Sequence, residues 1–245
     1  MSMIMTYKGI PSTSAEFGIR SVTRVERNVL ADVRNRIITI PGRDGVFYFD
    51  SDLDMYVIDI NFVIVGDSYE QLRERQREVA LWLKSSEPER LAFNDEPEKF
   101  WRAVPISVVT ANQIYRSLFC TVSMGVPEVF ALSVDFSLGT QTGFYEGTHP
   151  APPRVVMIKS GSSVDGFILT YETTGVSLRY LREVLVGDVI EIDMERRTFF
   201  HNGIDRRVDV AIETDAIIFE PRDNFELTID SVGWDVTTQW RARWV

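Results

Sequence analysis

"YVIDINFVIV", residues 56–65, alternates: Tyr56, Ile58, Ile60, Phe62 and Ile64 fall on one side of an extended chain, and Asp59 and Asn61 on the other. A period of two is that of a β-strand with one face on a core. The same rhythm runs through "VFALSVDFSL" (129–138), which places Phe130, Leu132, Val134, Phe136 and Leu138 inward and Ser133, Asp135 and Ser137 outward. "FWRAVPISVV" (100–109) and "SLFCTVSM" (117–124) read as further strands. Pro105 suggests an edge or a bulge in the first of these, because proline cannot donate to a ladder.

Upstream of the first strand, "RIITIPGRDGVFYF" (36–49) sets two β-rich runs around a turn. Pro41 presets φ for the first corner position and Gly42 accepts a positive φ at the second, which suits a type II turn. Asp44-Gly45 supplies a second bend. The loop lacks the G-x-x-x-x-G-K-[ST] spacing and no helix follows it, so it reads as a shaped turn and not as a phosphate cradle. Downstream, one helix is expected over about 69–84. Ser68 caps it and Gln71, three residues on, completes a capping box. Tyr69, Leu72, Gln76, Val79 and Leu83 keep helical spacing, with Trp82 widening the stripe, while the alternating Glu and Arg residues of 70–78 form a solvated face. Ser85, Ser86 and Pro88 end it.

After Leu138, "GTQTGFYEGTHPAPPR" combines two turn-rich clusters with three prolines and marks the best boundary in the chain. The expected organisation is a β-domain with one helix over 1–138, a linker over 139–153 and an all-β domain over 154–245. Beyond the boundary, short strands recur between turn signals such as Gly187-Asp188 and Asn202-Gly203, the pattern of an antiparallel sandwich or barrel. The fold class is therefore mainly β, an α+β N-terminal domain followed by an antiparallel sandwich or barrel.

Composition narrows the function. The 245 residues carry a formal charge of −10. Before Gly139 there are 15 basic against 19 acidic residues, and from it onward 11 against 17, so neither half offers a basic surface for phosphate backbones. Cys120 is the only cysteine, which excludes an intrachain disulfide and a cysteine-based zinc site; it lies in an apolar run and reads as a buried, inert thiol. The start, "MSMIMTYKG", has neither a basic n-region nor an apolar h-region, and no run approaches the ~20 apolar residues of a membrane span. The expectation is a chain made and folded in a cytoplasm, without membrane insertion.

No catalytic set, cofactor motif or metal motif emerges. Glu191 and Asp193 share a strand face and Asp188 belongs to a Gly-Asp turn, the pattern of a solvated strand. His201, Asn202 and Arg206 are the candidates for sugar binding on a lectin-like sandwich, although they are contiguous around a hairpin turn. Trp240 and Trp244 share a face with Ala242 in the last strand, where core filling is the common fate of tryptophan.

The order of these pieces resembles the distal tail (Dit) protein family of long-tailed, non-contractile bacteriophages and related prophages. "FGIRSVTRVER", "IPGRDG", "DINFVIVGDS", "ALWLKSSEPERLAFNDEPEKFWRAV" and "VFALSVDFSL" carry the resemblance in the first half. "LVGDVIEIDMERRTFFHNG", "IIFEPRDNFELTI" and "WRARWV" carry it in the second. The chain departs from the family where members often have Pro-Gly before the Asn of the penultimate strand and it has Pro221-Arg222-Asp223-Asn224. The resemblance implies a non-enzymatic virion protein at the tail tip, assembled in the bacterial host. Its N-terminal half would close into a homo-hexameric ring between the tail tube protein and the tip hub protein. Its second half would be a galectin-like sandwich holding receptor-binding proteins or fibres. DNA would pass the pore without specific binding, with Asp52, Asp54, Asp59 and Asp135 as candidate wall residues, and the turn of Pro41, Gly42 and Gly45 would lie in the ring domain near a subunit contact. The rival expectation is a carbohydrate-binding module that reads host surface glycans.

Overall fold

The computed structural model describes residues 3–42, 44–107, 110–211 and 216–245. Arg43 of the expected turn, Val108 and Val109 at the end of an expected strand, and residues 212–215 lie outside them. The chain divides into two compact units, Met1–Leu132 with Val245, and Ser133–Trp244.

The first unit contains β1 (Met5–Tyr7), β2 (Ile10–Pro11), β3 (Ile19–Arg27), β4 (Val33–Ile38), β5 (Phe47–Leu53) and β6 (Tyr56–Val65). After them come α1 (Tyr69–Leu83), β7 (Glu89–Phe93), β8 (Lys99–Pro105), β9 (Thr110–Ile114) and β10 (Ser117–Val126). Its main sheet runs β2-β1-β7-β8-β10-β6-β3, with β9 on β10. A bridge from Met3 to Val22 joins the chain just before β1 to β3, so the sheet closes on itself. Closure leaves few unpaired strand edges, the usual hazard of a β-domain. Strand β6 lies inside this sheet, between β10 and β3. Ile58, Ile60, Phe62 and Ile64 are buried as the alternation requires. On the opposite face Asp59 accepts from the Ser123 hydroxyl and Asn61 from the Thr121 hydroxyl, so its polar groups are satisfied across the β6–β10 ladder.

Helix α1 lies where the sequence places it. The Ser68 hydroxyl accepts from the Gln71 N–H at 3.1 Å, and the Gln71 side chain reaches back to the Asp67 N–H at 2.6 Å. Leu72, Val79, Trp82 and Leu83 are buried. Trp82 stacks on Phe17 at 4.6 Å and donates to the Tyr7 carbonyl at 3.0 Å, which ties the helix to β1. Tyr69, expected in the stripe, is exposed at the first helical position and meets Tyr115 edge-to-face. Pro105 is the last residue of β8, where its missing donor is harmless.

The expected strand 129–138 is two short strands, β11 (Ala131–Ser133) and β12 (Ser137–Gly139). Val129 has a positive φ of 56°, and the Ser133 hydroxyl donates to the Asp135 carbonyl, which bends the chain out of the ladder over 134–136. Phe136 and Leu138, expected inward, are exposed. The alternation is real in sequence but straddles the border between the two units.

The second unit continues with β13 (Thr142–Phe144), β14 (Arg154–Lys159), β15 (Val164–Tyr171), β16 (Val176–Val184), β17 (Val189–Asp193), β18 (Thr198–His201) and β19 (Ile204–Asp205). A 3₁₀ turn at Arg207–Asp209, β20 (Asn224–Ile229), β21 (Trp234–Trp240) and β22 (Arg243–Trp244) complete it. One sheet runs β12-β21-β14-β17-β18-β19 and the other β13-β20-β15-β16. Between them lies a core that includes Met157, Phe167, Leu169, Tyr171, Ile190, Phe219, Phe225 and Trp240. Residues 139–153, expected as a linker, contribute β13, which pairs with β20, and the buried Tyr145 and Ala151. Turn-rich composition hid them because each contributes only one or two core side chains between prolines. At the family departure, Arg222 adopts a positive φ of 54°, the conformation that glycine takes without strain.

The helix stripe is testable by truncation. Leu72→Ala and Leu83→Ala should each cost roughly 2–5 kcal/mol, and Ser68→Ala about 1 kcal/mol through the lost cap. Urea denaturation of these variants checks it; wild-type midpoints for both leucine variants would show that the stripe is not core.

Candidate functional site

Strands β4 and β5 form a ribbon that pairs with no other strand among the described residues. Every residue of both strands is exposed. Near the root the register sets Arg34 opposite Asp52 and Arg36 opposite Asp50. Arg36 pairs with Asp52 at 2.7 Å and with Asp50 at 3.4 Å, and Arg34 pairs with Asp54 at 3.0 Å. The Met55 N–H and Arg34 hold the Asp54 carboxyl below its usual range. A bulge follows Arg36, and beyond it the paired positions are Ile37 with Tyr48 and Ile38 with Phe47. Adjacent residues of a strand point to opposite faces, so the tip is apolar on both sides while the root is charged on one. Ile37 is 52% exposed and Phe49 64%. At the turn Gly42 and Gly45 take φ of +78° and +84°, and a Cβ added at either would meet nothing within 4 Å, so both border open space. Pro41, Gly42 and Gly45 lie in a turn, the shape the sequence suggested, and its exposure was not foreseen.

The histidine site of the second unit is built differently. His201 Nε2 lies 2.8 Å from Asp188 Oδ2, and its Nδ1 lies 2.9 Å from the Tyr180 hydroxyl. A carboxylate only accepts, so Nε2 carries the hydrogen of that pair. Asn202 donates to Asp188 Oδ1 at 2.7 Å, accepts from the Val189 N–H at 2.8 Å and takes a positive φ of 51° in its turn. Arg206 lies 3.8 Å from Asp209. The three side chains proposed for a sugar are thus engaged within their own unit: His201 and Asn202 converge on Asp188, and Arg206 turns to a different carboxylate. Burial works to raise the Asp188 pKa, but the bonds from Asn202, the Leu185 N–H and His201 outweigh it and hold the carboxyl below its ordinary range. Sequence spacing missed Asp188 as the hub, because its 13-residue separation from His201 closes only through the β17–β18 pairing.

Other candidates fall into the scaffold. Glu191 pairs with Arg154 at 2.7 Å, and Asp193 accepts from the Arg196 N–H. Cys120 is buried, and burial pushes its thiol up to about 11. Among the described residues no cluster of His, Cys, Asp and Glu has the geometry of a metal site, and no helix is long and apolar enough to cross a membrane.

Comparison with known proteins accounts for nearly the whole chain. Residues 12–125 match the phage tail protein RIFT-related domain, and residues 146–244 match the C-terminal domain of the siphovirus-type tail component. The chain belongs to the distal tail protein family of siphophages. Its fold is similar to that of the Dit protein (gp 19.1) of phage SPP1, with a TM-score of 0.85 at 16% identity over 100% of both chains. That protein is described as a paradigm of hub adsorption apparatus in phages infecting Gram-positive hosts. A chain of the phage P2 baseplate in its Ca-activated conformation is more distant, with a TM-score of 0.49 at 7% identity over 99% of this chain and 98% of that one. No curated protein sequence matches the chain. As a distal tail protein it is a structural tail component of the virion.

The Asp188 hub makes a pH prediction. Its depressed folded pKa contributes stability above the unfolded value of about 4, and this is lost as pH falls through the folded value. The urea midpoint of wild type should exceed that of Asp188→Asn at pH 7, and the gap should close as pH falls below about 4. A gap constant from pH 7 to pH 3 would contradict the network.

Proposed function

We propose that six copies of the chain close into a ring at the distal end of the tail, joining the tail tube to the tip hub. The second unit would act as a galectin-like sandwich that carries receptor-binding proteins or fibres. The role is structural and not catalytic, and assembly takes place in the host cytoplasm. The observation that carries this reading is the β4–β5 ribbon. A two-stranded ribbon is marginal in water by itself, and an apolar tip gains stability only when covered. Its arginines, Arg34 and Arg36, are already engaged by Asp50, Asp52 and Asp54, so what its tip offers a partner is apolar surface. The body of the same unit carries a different exposed apolar patch, made by Tyr69, Ile114 and Tyr115, with the two tyrosine rings 6.3 Å apart. A knob and an unlike patch on one body support head-to-tail pairing of copies, which closes into a ring when the rotation permits. The acidic balance of the N-terminal half fits a pore that lets DNA pass without holding it. Of the expected wall carboxylates, Asp52 and Asp54 are paired with arginines, Asp59 accepts from the Ser123 hydroxyl and keeps its charge, and neither Asp59 nor Asp135 has an ion pair among the described residues.

Light scattering on a sizing column tests the reading. Wild type should elute as six copies of a 28.1 kDa chain, about 170 kDa in all. Ile37→Asp with Phe49→Asp should give a monomer of unchanged melting temperature, since both side chains are exposed. Wild type that stays monomeric at high concentration, or a double variant that still forms the ring, would overturn it.

A further inference from the structure

At one end of the second unit three loops meet: 159–161 after β14, 185–188 between β16 and β17, and 231–233 between β20 and β21. The Gly187 N–H donates to the Lys159 carbonyl at 2.7 Å, and the Lys159 N–H to the Asp188 carbonyl at 3.0 Å. The N–H groups of Ser160 and Gly161 both donate to the Gly233 carbonyl. Gly161 and Gly233 cross so closely that a Cβ on Gly233 would sit 2.5 Å from the Gly161 Cα. Two polar devices lie beneath. The Lys159 side chain, in a residue only 1% exposed, donates from Nζ to the Val232 carbonyl at 2.5 Å and lies 4.6 Å from the Trp234 ring centroid. The Asp188 hub takes the Leu185 N–H at 2.8 Å and ties that turn to His201 and Asn202. Burying an ammonium is expensive unless its bonds are used well, and here its hydrogen bond fixes a loop carbonyl.

What these rigid loops carry outward is aliphatic: Leu185, Val186 at 61% exposure and Val232 at 84%. The rim is acidic. Asp165 and Glu183 face each other across the β15–β16 ladder, and Asp235 follows Trp234; none of the three makes an ion pair among the described residues. Like charges directly opposite are unfavourable, and a cationic partner would relieve them. The rest of the chain is itself acidic, with a sequence pI near 4.8, so a second copy is a poor complement.

We propose that this loop end is a docking surface for a different protein, one presenting an apolar socket bordered by lysine or arginine. The proposal rests on the reading of the chain as a structural tail component and names a surface for one of its partners. Aliphatic tips on loops held this firmly lose little freedom on binding, and the acidic rim steers a basic partner.

The test uses the purified full chain against each other tail protein of its own phage, purified singly, with binding followed by biolayer interferometry. Val186→Asp and Val232→Asp should weaken binding to one of those proteins by about tenfold or more. The control Leu138→Asp, also exposed but paired at the opposite end of β21, should leave it unchanged. All three should keep the wild-type melting temperature, and raising the salt should weaken wild-type binding. If no tail protein binds wild type, or if both valine variants bind as wild type does, the docking surface is wrong. Light scattering on the same samples separates the two levels. A ring that forms while docking is unaffected removes this surface alone, whereas a chain that neither assembles nor binds removes the structural reading itself.

Discussion

Two strands share one ladder of hydrogen bonds and, without a third element against them, enclose no core. The β4–β5 ribbon is held in that condition, with every residue of both strands exposed. Elsewhere in the first unit, most strand edges and apolar faces are covered inside the chain, apart from the patch of Tyr69, Ile114 and Tyr115. The Met3–Val22 bridge closes the sheet, and α1 seats Leu72, Val79, Trp82 and Leu83 in the core. The ribbon is the most exposed part of this unit, and the proposed ring would cover it with a second copy. Arginine–aspartate pairs occupy the root, and isoleucine and aromatic side chains are left at the tip.

Much of this was legible in the sequence. Strand β6 and helix α1 were read correctly because each has a periodic apolar face against a core within the same unit. The alternation of 129–138 was just as regular and misled, since periodicity reports a facing pattern and not whether one element carries it; a serine-centred bend and a unit border fall inside it. The turn at 41–45 was read from Pro-Gly and Asp-Gly, yet the exposure of its flanks was not. Residues such as Ile37, Phe47 and Phe49 have the same sequence signature whether they meet their own core or a neighbour. At the second unit, the Asn202-Gly203 turn was plain and its bond to Asp188 was not. Nothing in the sequence singles out Lys159, and only the folded loops show its ammonium under Val232.

The two units therefore expose apolar surface in different ways. The first extends it on a ribbon supported only at its root, a form suited to wrapping a neighbour. The second mounts it on loops braced by a buried ammonium and a carboxylate hub, a form suited to rigid docking. The proposed role calls for both: contacts that repeat around a ring, and contacts that hold an unlike protein. Neither calls for a reactive group. Cys120, the one cysteine of the sequence, is displaced toward inertness by burial.

Amide hydrogen exchange of residues 37–49, compared between dilute dissociated chain and concentrated assembled chain, tests the central claim most directly. The account predicts fast exchange at the tip in the dissociated chain and strong protection on assembly, with α1 and β6 equally protected in both. Tip amides that exchange equally fast in the assembled state would contradict it, because the ribbon would then play no part in holding copies together.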